Sequence, residues 1–252
     1  MRSPLGMGSR VGFMSEIKIV DRDVEVVKYV YDMKFCTSVD VYKMFFEGEV
    51  GRSSRYAFVR LKKLVDASFL KVFKNKIYKS GFYFVSERGL NLIRDRFRDH
   101  LFPKKAPLKI DKRFFEHDRY VALCRTYLER EGLAKNWISE RIITHDVVTK
   151  NGEYRSKYML QNLKRSQIPD ALFTTRRGET CAFELEFTLK SGRELKQKLT
   201  TLYNESKLKK GLFERVLIVA GGEKIESCLH KIDRELNANF KIINLDQVVE
   251  SE

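Results

Sequence analysis

Apolar positions recur every three or four residues through most of this chain, then alternate in short runs, and the changes of period mark its elements. In DRDVEVVKYVYDMKF (21–35), Val24, Val27, Val30 and Tyr31 share one helical face behind Asp21 as N-cap. TSVDVYKMFF (37–46) predicts a second helix behind Thr37 or Ser38, with Val39, Tyr42 and Phe46 inward. RSSRYAFVRLKKLVDASFL (52–70) predicts a third, with Phe58, Leu61 and Val65 as its buried row. LKVFKNKIYKSGFYFVSERG (70–89) then alternates apolar and basic residues around turn signals at Asn75 and Ser80-Gly81, the pattern of a β-hairpin.

DHLFPKKAPLKIDK (99–112), with two prolines and a run of charge, reads as a linker. Beyond it, FFEHDRYVALCRTYLEREG (114–132) is a helix with Phe114, His117, Val121, Cys124 and Leu128 along one side and Gly132 closing it. A strand is expected in WISERIITHDVV (137–148), followed by a charged loop, 149–167. IPDALFTTRRGETCAFELEFTLKS (168–191) reads as a hairpin and GRELKQKLTTLYNESKLKKG (192–211) as a helix. The strand RVLIVA, a helix from Glu223 to about Leu236 and the strand FKIINL complete the order. The expectation is an α+β chain in two parts. Residues 15–98 form a winged helix-turn-helix, 99–112 a linker, and 113–252 an α/β domain with a mixed central sheet and helices on both faces.

Charge sharpens this picture. The chain of 252 residues carries 49 basic and 34 acidic side chains, a net charge of +15. The first 110 residues hold 23 of the basic and only 12 of the acidic ones. Such a surplus favours a polyanionic partner, most simply nucleic acid. Three helices and a basic hairpin are the order in which a winged helix lays its third helix in the major groove of duplex DNA. Arg52, Ser53, Ser54 and Arg55 would meet the DNA first, Arg60, Lys62 and Lys63 would follow along the helix, and Lys74 and Lys76 would sit on the wing. The competing reading of that stripe is a solvated basic face, or a winged helix used to bind protein.

Four scattered cysteines without a Cys-x-x-Cys pair, and four histidines without ligand spacing, argue against a disulfide framework or a zinc site. No apolar run approaches the roughly 18 residues of a membrane span. The opening MRSPLGMGSRVGF lacks the apolar core of a signal peptide and is set outside the fold, with Met14 expected as the natural first residue. A cytoplasmic location without membrane contact is expected.

The hairpin at 168–191 carries the candidate chemistry. In a strand, Ala182, Glu184 and Glu186 point to one face while Cys181, Phe183, Leu185 and Phe187 point to the other. The apolar face must pack on a helix, so both glutamates are held together on the opposite side. A three-residue loop, Arg176-Arg177-Gly178, pairs Thr175 with Glu179 and sets Asp170 opposite Glu184. Like charges so placed are destabilising, and a divalent metal, a basic neighbour or solvent must offset the cost. A hard cation on oxygen ligands is the economical choice, with Mg2+ usual near phosphates and Asp170 and Glu184 as its ligands.

Helix, strand, Pro169-Asp170, then Glu184-x-Glu186 followed by helix and strand resembles the PD-(D/E)XK nuclease superfamily over residues 113–220. More narrowly, a basic winged helix joined to FEHD, IPDALF, FELEFT and KQKLTTLY resembles the replication-relaxation family of plasmid and mobile-element proteins. The resemblance implies a restriction-endonuclease-like domain, Mg2+-dependent phosphodiester cleavage, and a role in replication, DNA relaxation or mobilisation, with a relaxase or replication protein as a further partner. Asp170 and Glu184 would hold the metal, and Glu186 or a lysine would act on the attacking water. One departure stands out: the pattern's lysine falls at position 186, which is glutamate. Lys190 or Lys196 would then move into the role, and Glu116 or Asp118 could complete the metal shell. Those two read equally as helix N-terminal carboxylates, and His117 as a core histidine. The alternative from another class is a transcriptional regulator, a homodimer or partner-binding protein whose second domain is catalytically inactive.

Overall fold

A computed structural model describes residues 17–51, 53–74, 81–98, 102–103, 105–106, 112–148, 168–188, 191–208 and 212–250. Arg52, Lys76, Lys190, the Asn75–Ser80 turn, the loop 149–167, the opening segment and most of the 99–112 stretch lie outside them.

The chain begins with α1 (Asp21–Asp32), α2 (Ser38–Phe45) and α3 (Ser54–Asp66), then an antiparallel pair, β1 (Leu70–Lys74) and β2 (Gly81–Val85). The N-cap of α1 is Val20 rather than Asp21, because the Asp23 carboxylate accepts the Val20 N–H at 2.9 Å. Thr37 caps α2: its hydroxyl accepts the Asp40 N–H, and Asp40 accepts the Thr37 N–H at 2.6 Å. The buried row of α3 is Ala57, Leu61 and Leu64, one step round from the expected row, and Phe58 is 50% exposed. Both rows contain Leu61 and satisfy helical spacing. Ala57, fully buried, has the small side chain that lets α3 lie close against α2. On α2 likewise, Val41 is buried and Val39 exposed.

The helix α4 (Glu87–Arg96) follows directly on β2, where the sequence suggested only the tail of a hairpin. Ser86 caps it, accepting the Gly89 N–H at 3.1 Å. Gly89 is required there, since a Cβ at that position would come within 2.1 Å of the Phe69 carbonyl oxygen. The described part of the expected linker is packed rather than free. Phe102 and Ala106 are buried, and the Phe102 ring meets Tyr31 edge-on at 5.3 Å.

The second half runs α5 (Phe115–Arg130), β3 (Ala134–Ser139), α6 (Glu140–Val148), β4 (Ala171–Thr175), β5 (Thr180–Glu186), α7 (Gly192–Ser206), β6 (Arg215–Ala220), α8 (Glu223–Leu236), β7 (Lys241–Asn244) and α9 (Leu245–Val249). The expected strand at 137–148 is therefore corrected: it ends at Ser139 and becomes a helix. Ile142 and Ile143 are both fully buried, which neighbours on a strand achieve only with both faces covered, and the Glu140 N–H donates to the Asp170 carbonyl at 2.8 Å.

The five-stranded sheet has the order β3-β4-β5-β6-β7, antiparallel from β3 to β5 and parallel from β5 to β7. The architecture is thus mixed α and β. One face of the sheet packs Phe173, Phe183, Leu185 and Leu217 against α5 and α9. The other packs Leu172, Ala182, Val216 and Ile218 against α7 and α8. The first of these apolar clusters does not stop at the second half. It runs on without a break through Val27, Val30, Leu61, Leu64 and Leu90, so both halves of the chain share one core. Among the described residues, no helix is long and apolar enough to cross a membrane.

Candidate functional site

The register of the β4–β5 hairpin is the one its turn demands. Thr175 N–H donates to Glu179 O at 2.8 Å, Gly178 takes positive φ (85°), and Ala171 pairs with Phe183. Asp170, one residue ahead of β4, therefore stands level with Glu184. The surroundings of the glutamates differ from expectation. They do not look out from a bare face, because α7 covers it and leaves Glu184 and Glu186 each 1% exposed.

The basic neighbour that permits this burial is Lys198, on α7. Its ammonium donates a hydrogen bond to Glu184 Oε1 and lies 3.9 Å from Glu186 Oε1. Glu184 Oε2 is buried with no hydrogen-bond partner. Asp170, level with Glu184, has partners of its own. Its Oδ2 accepts the Leu185 N–H at 2.9 Å and lies 3.3 Å from His117 Nε2 on α5. His117 Nδ1 is 3.6 Å from Asp118, which is itself bound at 2.6 Å by Lys34 from just beyond α1. Lys34 also reaches Glu140 at 3.1 Å. Asp170, His117, Asp118, Lys34 and Glu140 line a cavity of ≈ 20 Å³, room for about one water.

The charges are set unequally. Burial opposes ionisation of Asp170, but the His117 hydrogen bond and charge, Lys198 and the Leu185 N–H outweigh it and hold the carboxyl down at about 2. Burial, then the charge of Asp170, pushes Glu184 up to about 8 against the pull of Lys198. His117 is raised to about 10: burial works against its charge, and the carboxylates of Asp118 and Asp170 more than compensate. Lys198 stays firmly protonated, its burial overcome by Glu184, Asp170 and Glu186. Two neighbouring carboxyls held at such different values are the arrangement that keeps one ionised and the other near its titration point.

The site residues thus come together in part. Asp170, Glu184 and Glu186 converge at one end of β5. Lys196 points elsewhere, pairing with Glu235 at 2.7 Å. Glu116 is exposed, and Asp118 is committed to Lys34. Two residues escaped the sequence reading. Lys198 lies three residues after Leu195 and four before Leu202, beside the buried stripe of α7, and a lysine placed there was the legible signal. His117 was read as a core residue, and its role as partner to Asp170 depends on how α5 crosses the sheet.

Among the described residues, no group of three or more His, Cys, Asp or Glu side chains is placed to hold a metal ion. Asp170 with the unpartnered Oε2 of Glu184 would offer two oxygen ligands. That suits Mg2+, which keeps several waters and takes substrate phosphates as further ligands.

On the candidate nucleic-acid face, Ser53, Ser54, Arg55, Lys62, Lys63 and Lys74 are exposed. Arg60 is not free to reach outward, because its Nε binds Asp23 Oδ1 at 2.6 Å and its Nη2 binds Oδ2. Phe58 and Val59 lie exposed among the basic residues. Comparison of the chain with family models, curated proteins and solved structures finds no match.

Proposed function

We propose that this chain is a cytoplasmic DNA-binding protein of a plasmid or mobile element, acting in replication, DNA relaxation or mobilisation. In this reading α1–α3 and the β1–β2 hairpin are a winged helix-turn-helix that selects duplex DNA, and the second half is a PD-(D/E)XK-like domain that grips and nicks it. One observation carries the nuclease part: Lys198 meets Glu184 and Glu186 beside Asp170, so a lysine missing from the strand is supplied by the next helix.

Bound Mg2+ would supply Lewis-acid stabilisation of charge on the scissile phosphate. Asp170, ionised at any physiological pH, and Glu184, once deprotonated, would hold it. The Lys198 ammonium would orient the attacking water or balance negative charge developing on the phosphate. His117 fixes the Asp170 carboxylate and, being cationic, adds to the attraction for DNA.

The competing regulator reading draws on one observation of its own: Glu184 and Glu186 are almost wholly enclosed, with Lys198 already on Glu184. Incubation with supercoiled plasmid, with and without Mg2+ or Mn2+, separates the two. The nuclease converts plasmid to the nicked form only with metal. Asp170→Ala and Lys198→Met each reduce that rate by at least about a hundredfold while DNA affinity stays within twofold. Tight metal-independent binding without any nicking would replace this reading by the regulator.

A further inference from the structure

A larger cavity, ≈ 530 Å³, lies at the far end of the sheet from Asp170 and Glu186, between the α5/α9 side and the starts of β6 and β7. Its volume falls within the usual range of small-molecule sites. Its floor is apolar: Leu128, Phe173, Cys181, Leu217 and Val248. Burial pushes the Cys181 thiol up to about 12, so that surface carries no charge at neutral pH.

The rim is cationic, and its cations divide into two kinds. Arg176 is spent on the carbonyls of Glu131 and Gly132, and Arg215 pairs with Glu179 at 3.1 Å. Arg177 and Lys241 are exposed, line the same opening, and have no anionic partner among the described residues. Two unneutralised cations above an apolar floor match one ligand chemistry, an apolar body ending in a single anionic group. A nucleic-acid backbone would not use the floor, and a neutral hydrophobe would not use the rim.

We infer that this cavity binds a small amphipathic anion, with its apolar body on Phe173 and Leu217 and its carboxylate-type head on the rim that carries Arg177 and Lys241. Binding here is independent of any DNA chemistry at Asp170. The chain's single tryptophan reports on it, because Trp137 stacks on Phe173 at 6.0 Å with the rings nearly parallel (7°).

The test titrates the purified full chain with decanoate below its micelle concentration and follows Trp137 emission, with decanol and acetate as controls. Decanoate should give a saturable change, while decanol and acetate bind at least tenfold more weakly. The double variant Arg177→Ala/Lys241→Ala, confirmed as folded by circular dichroism, should weaken decanoate at least tenfold. Ile243→Phe, which adds volume at the wall, should weaken it too. Absence of a saturable change with decanoate, equal affinity for decanol, or undiminished binding by the folded double variant would each overturn the proposal.

Discussion

Glu184, enclosed by α7 and holding one unpartnered oxygen, makes the stability of this protein sensitive to pH in a definite direction. Unfolded, its carboxyl ionises near 4.5; folded, it keeps its proton until about pH 8. Stability therefore declines as pH rises from about 4.5 to 8, because the unfolded chain gives up the proton first. His117 acts in the same sense: its contribution is full below 6.5 and is lost as pH rises toward 10. Asp170 opposes them only in acid, contributing above 3.8 and losing its contribution as pH falls to about 2. The two declines overlap between pH 6.5 and 8, and Tm should fall there in thermal melts. Glu184→Gln should flatten part of that slope, and a Tm rising over the interval would disprove the assignment. The carboxylate trio was legible because strand alternation and turn length are local rules. That Lys198 meets Glu184 was not, because which strand a helix residue reaches depends on how the helix is laid across the sheet.

At the scale of elements, close approach and capping decide more than propensity. Gly89→Ala should cost roughly 1–3 kcal/mol, the usual penalty for forcing extra atoms into a packed site, since the Phe69 carbonyl leaves no room for a methyl. A denaturant midpoint unchanged from the parent would contradict that. On α3 the outward row is Arg55, Phe58, Val59, Lys62 and Lys63, with Arg60 turned back to Asp23. If this row meets DNA phosphates, Lys62→Ala and Lys63→Ala should each reduce the log–log salt slope of duplex binding by about one. Arg60→Ala should act instead through stability, by leaving Asp23 buried without its cation. Equal salt slopes for parent and lysine variants would remove α3 from the interface. The exposed Phe58 shows why a helical period alone leaves the buried row of a short helix undecided. Rows through 57, 61, 64 and through 58, 61, 65 differ by one step of rotation, and only the neighbouring α2 chooses between them.

Across the whole molecule, the two halves behave as one packed body. Asp32 of α1 accepts from Arg125 of α5 at 3.1 Å and from Ser139 of β3 at 3.2 Å, and it also receives Lys28 at 2.6 Å. The Tyr29 hydroxyl lies 3.0 Å from Thr126 Oγ1, and Phe35 stacks on Phe115 at 4.8 Å. Calorimetry should therefore show a single cooperative transition. Asp32→Ala, which leaves buried Lys28 without its carboxylate and Arg125 with Glu129 alone, should lower stability by about 3–5 kcal/mol and move the entire transition. Two separate transitions would contradict a shared core. From its sequence alone this protein determined its helices and strands in outline, its mixed fold class and the register that sets Asp170 level with Glu184, because periodicity and turn geometry act over a few residues. Only the tertiary structure decided that α1 closes against α5 and that the glutamates are buried with Lys198. Those outcomes depend on which surfaces meet across long separations in the chain, where packing volume and charge pairing outweigh any local preference.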